Sequence, residues 1–273
     1  MKIKHFFDED TFTLTYVAWD EATKDGIVID PVLDFDPEEN STSFDSIDKV
    51  SHFIESEGIK LHYIMETHAH ADHLSGSQEL KNRFKGSKIV IGKEIMAVQE
   101  TFKDFFKLDE SFATDGSQFD QLLGDNDIIK AGSLEIKALH TPGHTPSCYS
   151  FVVEDSVFTG DALFMPDFGT GRCDFPKGSA EDMYTSIHEK LYSLPDETKF
   201  YTGHDYQPGG RELRYQSTIG ESKKANIQLK AETTKDEFIK FRTERDSKLS
   251  EPKLLVPSIK VNIDAGHLTN QIS

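Results

Sequence analysis

Thr67-His68-Ala69-His70-Ala71-Asp72-His73-Leu74-Ser75-Gly76 places three histidines and an aspartate within six residues. The preceding run, Leu61-His62-Tyr63-Ile64-Met65, reads as a short buried strand. The following Ser75-Gly76-Ser77-Gln78 has the Ser-x-x-Gln form that opens a helix. The cluster is therefore expected on a strand-to-helix turn. His68 and His70, two apart in the extended part, are expected on one side. Asp72 and His73 follow where the chain turns and are directed at a second point nearby. Imidazole nitrogens and a carboxylate converging at a strand end suit a divalent metal. A solvated polar turn would leave the pattern further along the chain unexplained.

That pattern consists of three more turns, each ending on a candidate ligand: Thr141-Pro142-Gly143-His144, Thr159-Gly160-Asp161 and Thr202-Gly203-His204. With H-x-H-x-D-H ahead of them, the four elements resemble, in order and spacing, the metal-binding signature of the metallo-β-lactamase superfamily. The resemblance covers almost the whole chain. It implies an αββα four-layer sandwich of mixed α/β class, with metal at one edge between two sheets. The strand and helix alternation agrees with that fold without specifying it.

A chain of 273 residues is long enough for a sizeable core. The net charge of −18 repels phosphate backbones, so a nucleic-acid partner is disfavoured, although some relatives with this motif cut RNA. Cys148 and Cys173 form no paired motif, which fits a reducing cytoplasm. The first residues lack the apolar core of a signal peptide, and no apolar run approaches membrane-spanning length. The expected location is cytoplasmic, with no membrane partner.

Residues 12–18 alternate as a strand, and Gly26-Ile27-Val28-Ile29-Asp30-Pro31 is a buried strand that stops at its proline. Asp30 reads as a carboxylate that orders the turn or backs the site. Residues 34–45 read as polar loop. Ile47, Val50 and Ile54 share a helical face ended by Gly58. Leu80 and Phe84 anchor a second helix, and residues 88–91 form a strand. Residues 100–126 look less regular, with Phe102, Phe105, Phe106 and Phe112 read as core. Residues 133–139 alternate again, and His140 reads as structural. Ser179-Ala180-Glu181-Asp182 is a capping box for a helix whose stripe is Met183, Ile187, Leu191 and Leu194. Thr234-Lys235-Asp236-Glu237 caps another, with Phe238, Phe241 and Leu249 inward. Residues 254–261 read as a closing extended segment. We expect one domain over residues 1–273, with 211–273 a helical and extended C-terminal extension.

Two details narrow the family. Asp161 is a hard oxygen donor, accepting iron, manganese or zinc, where many β-lactamases of the superfamily carry cysteine. Antibiotic hydrolysis is thus not the expected role. Gly171-Arg172-Cys173-Asp174-Phe175 and Gly203-His204-Asp205-Tyr206 resemble stretches of the persulfide (sulfur) dioxygenases, a group related to glyoxalase II. Within it, Arg172-Cys173-Asp174-Phe175-Pro176 and Gln207-Pro208-Gly209-Gly210-Arg211-Glu212 are similar to the bacterial β-lactamase-like hydrolase branch, linked to sulfide detoxification. Thr170 departs from dioxygenases that carry cysteine there.

The resemblance implies two chemistries. In one, His68, His144 and Asp161 hold a single Fe(II), one per chain. His70, Asp72, His73 and His204 then orient ligands and water, and glutathione persulfide is oxidised with O2 to sulfite. In the other, the same seven residues hold two Zn(II), or mixed Fe/Zn/Mn, for glyoxalase-II-like thioester hydrolysis. Arg172, Asp174 and Tyr206 are the expected substrate-binding residues. Arg172 could grip a glutathione carboxylate or pair with Asp174. The small-molecule partners are a thiol persulfide and O2, and the resemblance suggests a homodimer. A non-catalytic metal sensor is disfavoured because structural sites are normally closed cages. The chain has no room for the flavin domain of a flavodiiron oxygen reductase.

Overall fold

The protein is described by a computed structural model covering residues 1–268, so residues 269–273 of the expected extension lie outside the described residues. The chain divides into two compact units. Residues 1–123, 129–135 and those from Glu251 on form the first, and residues 124–128 and 136–250 the second.

The first unit opens with an antiparallel meander, β1 (Lys2–Asp8), β2 (Thr13–Trp19) and β3 (Asp25–Ile29), in which Asp8 lies opposite Thr13. A side hairpin follows, β4 (Val32–Asp36) and β5 (Ser41–Ser43). Then come α1 (Asp45–Glu57), β6 (Lys60–Met65), β7 (Leu74–Ser75), α2 (Ser77–Arg83), β8 (Lys88–Gly92), α3 (Ile95–Phe106) and β9 (Gln121–Leu123). The main sheet runs β1-β2-β3-β6-β8-β9 and turns parallel from β3 onward. Parallel neighbours need a crossover, which α1 supplies between β3 and β6 and α2 between β6 and β8. Strands covered on both faces read as unbroken apolar runs, as Ile27-Val28-Ile29 and Ile89-Val90-Ile91 do. The predicted stripe of α1 is buried, and Gly58 ends that helix at φ 64°, the left-handed conformation glycine adopts without strain.

Several expectations change here. Residues 34–45 are mostly the β4–β5 hairpin, whose polar sequence hid its pairing. The N-cap of α2 is Gly76 rather than Ser75, although Ser75 Oγ accepts the Ser77 N–H at 3.1 Å. The hydroxyls of Ser75 and Ser77 both donate to the buried carboxylate of Glu66. The irregular stretch contains α3, which buries Phe102 but leaves Phe105 66% exposed, so Phe105 is not core.

The chain passes between units along β10 (Ile128–Ala131) and β11 (Leu134–His140). The second unit continues with β12 (Tyr149–Val153), β13 (Ser156–Gly160), α4 (Ala180–Thr185), β14 (Lys199–Thr202), β15 (Gln216–Thr218), α5 (Ile219–Ala225) and α6 (Lys235–Asp246). Its strands run β11-β12-β13-β14-β15, antiparallel except for the β13–β14 pair. Ser179 caps α4 by accepting the Asp182 N–H. Met183, Ile187 and Leu191 are fully buried against Val157, Phe200 and Leu229. A strict four-residue spacing drifts about 40° per step on a 3.6-residue helix. The helix takes up that drift in a wide π-turn over Ser186–Leu191, keeping all three on the core. On α6 the predicted capping box forms and Phe238 is buried, but Phe241 and Leu249 are exposed. Arg242 takes the inward place, paired with Asp246 one turn on, a buried ion pair where an apolar residue was expected.

The chain then returns to the first unit with α7 (Leu255–Asn262), where an extended segment was predicted. Pro257 sits in the first turn, where its missing N–H breaks no helical bond. The β-branched residues around it gave a strand-like reading. Asn262 at the end of α7 is buried, and its amide donates to the carbonyls of His70 and His73, both at 2.8 Å. Its oxygen accepts from Ser75 N at 2.8 Å. Asn262→Ala leaves three buried backbone groups short of partners. We expect it to lower unfolding free energy by about 3 kcal/mol in urea titrations. Asn262→Asp, which turns a carboxylate toward two carbonyl oxygens, should cost at least as much.

Candidate metal centre

In the first unit, β6 ends at Met65 and the ligand loop leaves the C-terminal end of a parallel strand, where such sheets place their sites. The loop is anchored on Asp30, which stands after β3 at φ 48° and is buried. Asp30 accepts from Thr67 N at 2.7 Å and Thr67 Oγ1 at 2.8 Å, which is the turn-ordering role read from sequence. His68, His70 and His73 are all buried, with the ring of His70 4.0 Å from that of His68 and 4.2 Å from that of His73. They lie in a bent loop past the strand, not in an extended stretch.

His70 Nε2 faces two carboxylates, Asp30 Oδ1 at 3.1 Å and Glu66 Oε2 at 3.4 Å. Burial alone would raise the Asp30 carboxyl, but the charge of His70 and the bonds from His70 and Thr67 hold it below its ordinary value. Burial likewise disfavours charge on His70, and Asp30 and Glu66 reverse that, raising it well above the imidazole range. A cation bound by His70 replaces that proton's charge. His70, Asp72 and His73 each offer a donor atom within 4.8 Å of the others.

In the second unit, His144 follows the Thr141-Pro142-Gly143 turn and shares its Nδ1 with the carbonyl of Arg172 at 2.8 Å. That leaves Nε2 directed at Asp161, 3.6 Å from Oδ2. Asp161 stands at the tip of β13, and His204 Nε2 lies 3.4 Å from its Oδ1. One buried carboxylate thus has an imidazole at each oxygen. Oδ1 is buried and accepts no hydrogen bond among the described residues. Two nitrogens and an unsatisfied oxygen are the donor set of a borderline or hard cation, so these residues fit a metal ion.

The surroundings of Asp161 are tight. A Cβ on Gly171 would stand 2.1 Å from the Asp161 carbonyl oxygen, and one on Gly203 2.7 Å from Asp161 Oδ1. Arg172 binds Asp174 through two parallel bonds of 2.6 Å and donates to Ser250 O at 2.8 Å, so among the described residues two of its five N–H groups remain. Its guanidinium also lies over Phe175, whose ring meets His144 edge-on at 5.0 Å. Tyr206, 38% exposed, stacks on His204 at 5.5 Å and packs on Phe168 at 4.8 Å. The neighbouring Asp205 is buried and clamped by Arg211 through two bonds of 2.7 Å. Cys173 is buried, its thiol pushed up to about 12 by desolvation, so it is no thiolate at neutral pH. Cys148 is buried too, and His140 bonds the Pro146 carbonyl at 2.8 Å, a structural contact as expected.

Within each unit, then, the predicted ligands come together: His68, His70, Asp72 and His73 in one, His144, Asp161 and His204 in the other. Sequence reading missed Glu66, Thr13 and Asn262, which hold the histidine loop from behind. The alternation of β2 marked Thr13 and Thr15 as its polar face, yet both are buried.

A family model for the metallo-beta-lactamase superfamily matches residues 9–204. The chain belongs to that superfamily of metal-dependent enzymes and has its mixed α/β fold, with sheets flanked by helices, as expected. Glyoxylase B2 of Dictyostelium discoideum is 46% identical over 268 residues, covering 98% of this chain and 91% of that protein. The mitochondrial persulfide dioxygenase ETHE1 of Mus musculus is 30% identical over 266 residues, 97% of this chain and 88% of that one. The crystal structure of ETHE1 from Myxococcus xanthus superimposes with a TM-score of 0.77 at 31% identity, covering 98% of this chain and all of that one.

Gly203→Ala tests the tightness around Asp161. The new methyl collides with the carboxylate, and we expect metal affinity to fall roughly tenfold or more, the scale of outer-shell losses, with circular dichroism unchanged. Metal analysis after dialysis reads the effect, and full retention of metal would refute it.

Proposed function

We propose that the protein is an iron-dependent persulfide dioxygenase that oxidises glutathione persulfide, or a similar small persulfide, to sulfite with O2. The observation that carries this reading is the end-to-end likeness to ETHE1, joined to an oxygen donor, Asp161, where a thiolate would select zinc. His68, His144 and Asp161 are proposed to hold one Fe(II), which when bound would offer open positions for the persulfide and O2, the four electrons that reduce O2 coming from the outer sulfur of the persulfide. His70, Asp72, His73 and His204 orient the ligands and water. The His144 Nδ1 bond to the Arg172 carbonyl fixes that ring with Nε2 as its donor atom.

Arg172, Asp174 and Tyr206 are proposed to receive the thiol carrier. The two spare N–H groups of Arg172 can take a carboxylate while Asp174 holds the side chain in place. The exposed Tyr206 ring offers an apolar face. An anionic substrate must approach a chain of net charge −18, but that field is screened within about 8–10 Å at ordinary salt, so local cations decide. Cys148 and Cys173, both buried and not joined in a disulfide, support a reducing compartment such as the cytoplasm.

A second reading has its own observation. Asp161 flanked by His144 and His204 on opposite oxygens is the arrangement of a carboxylate that bridges two cations, and Glyoxylase B2 is a close relative by sequence. That reading is thioester hydrolysis with two metals. The readings separate by oxygen. We expect anaerobically purified protein to contain iron and to consume one O2 per glutathione persulfide, forming sulfite. Chelation should abolish this and Fe(II), not Zn(II), restore it, with S-lactoylglutathione cleaved slowly or not at all. Ala at His68, His144 or Asp161 should empty the site, while His73→Ala keeps iron and loses about 10–100-fold in rate. Two metals per chain, with fast thioester cleavage by the zinc form and no oxygen uptake, would establish the hydrolase instead.

Arg172→Lys keeps a charge but cannot form the paired bonds to Asp174. We expect it to raise KM for glutathione persulfide at constant iron content. Unaltered kinetics would remove Arg172 from the substrate site, and loss of iron would assign it to support of His144.

A further inference from the structure

A chain of hydroxyl groups runs from a carboxylate in the first hairpin to the buried ring of His73. Asp8, at the end of β1, accepts from the Thr11 amide at 2.9 Å and from the Thr11 hydroxyl. Thr11 Oγ1 lies 2.7 Å from Thr13 Oγ1, and Thr13 Oγ1 lies 3.3 Å from His73 Nδ1. Asp8 and Thr11 are half-buried, Thr13 and His73 buried. The register that sets Asp8 opposite Thr13, and Phe12 at φ 59° in the turn, bring the four groups into line.

The directions of these bonds are forced. An ionised carboxylate only accepts, and a hydroxyl has one proton. The Thr11 proton is committed to Asp8, so Thr13 must donate to Thr11. Thr13 then has only lone pairs for His73, and the ring must offer Nδ1–H. We propose that Asp8, Thr11 and Thr13 form a one-way hydrogen-bond relay that fixes the tautomer and ring orientation of His73, presenting the Nε2 lone pair to the metal centre. These are positioning residues, acting through His73. Asp72 Oδ1, 3.5 Å from the same Nδ1, is a competing acceptor, and it is partly exposed. Its role rests on the reading above that His73 serves the metal centre.

The relay is tested on the full-length protein with nitrogen-15-labelled histidine, metal-free, by long-range proton–nitrogen correlation. The His73 signals are assigned by their loss in His73→Gln. Wild type should show the Nδ1–H form. Thr13→Val should convert it to a mixture with the Nε2–H form, and Thr13→Ser, which keeps the hydroxyl, should preserve it. Asp8→Asn, whose amide can donate and so removes the forced direction, should give a mixture as well and serves if the valine variant does not fold. An unchanged Nδ1–H form in folded Thr13→Val, or in Asp8→Asn, would overturn the relay and leave Asp72 as the orienting group. The tautomer result stands whichever reaction the wild type performs, so oxygen-uptake and thioester assays on wild type test the functional reading separately.

Discussion

The buried carboxylate of Asp161, with an imidazole at each oxygen, is the constraint around which the second unit is arranged. A carboxylate removed from water is costly unless neighbouring positive charge or hydrogen bonds compensate it. Here its Oδ1 accepts no hydrogen bond among the described residues, so the cost is carried toward a cation. The backbone has closed in to hold it: Gly171 N–H donates to the Asp161 carbonyl at 3.2 Å and Gly203 N–H to the Gly160 carbonyl at 3.0 Å. The parallel pairing of β13 with β14 then brings Asp161 and His204 to the same sheet end.

The first unit solves the same problem with more partners. Asp30 and Glu66 share the Nε2 of His70, Ser75 and Ser77 donate to the other oxygen of Glu66, and Asn262 ties down the carbonyls of His70 and His73. Fixing a ligand ring through its second nitrogen sets both its orientation and its basicity. His70 is held through Nε2, whereas His144 and His73 are held through Nδ1.

The side chains gathered in the candidate metal centre were legible in the sequence because metal chemistry demands particular side chains at strand ends, and such residues stand out by type. The apolar stripes of α1 and α4 were legible because burial imposes a period. What was not legible depends on contacts distant in sequence. The β4–β5 hairpin has polar residues that no local rule marks as strand. Ser75 has the form of a cap, and its donation to the buried Glu66 nine residues before it is marked by no local rule. Arg242 lies on the inward face of α6 because Asp246, Gln228 and the Thr170 carbonyl await it there. The α7 segment reads as a strand by composition, and packing makes it a helix. Thr13 looked like the solvent face of an alternating strand, and its burial shows only when the histidine loop is placed behind it.

The bonds from Asn262 to the histidine loop join residues 192 and 189 apart in sequence. A chain leaves the ribosome from its N-terminus, at about 5–20 residues per second. The loop that carries His70 and His73 is therefore made long before the side chain that satisfies its carbonyls. Until α7 has emerged and docked, those carbonyls have only water, and the loop lacks the clamp that fixes its rings. The clamp on the loop accordingly waits for α7, and a nascent chain stalled before α7 should hold those histidines less firmly than the folded protein does.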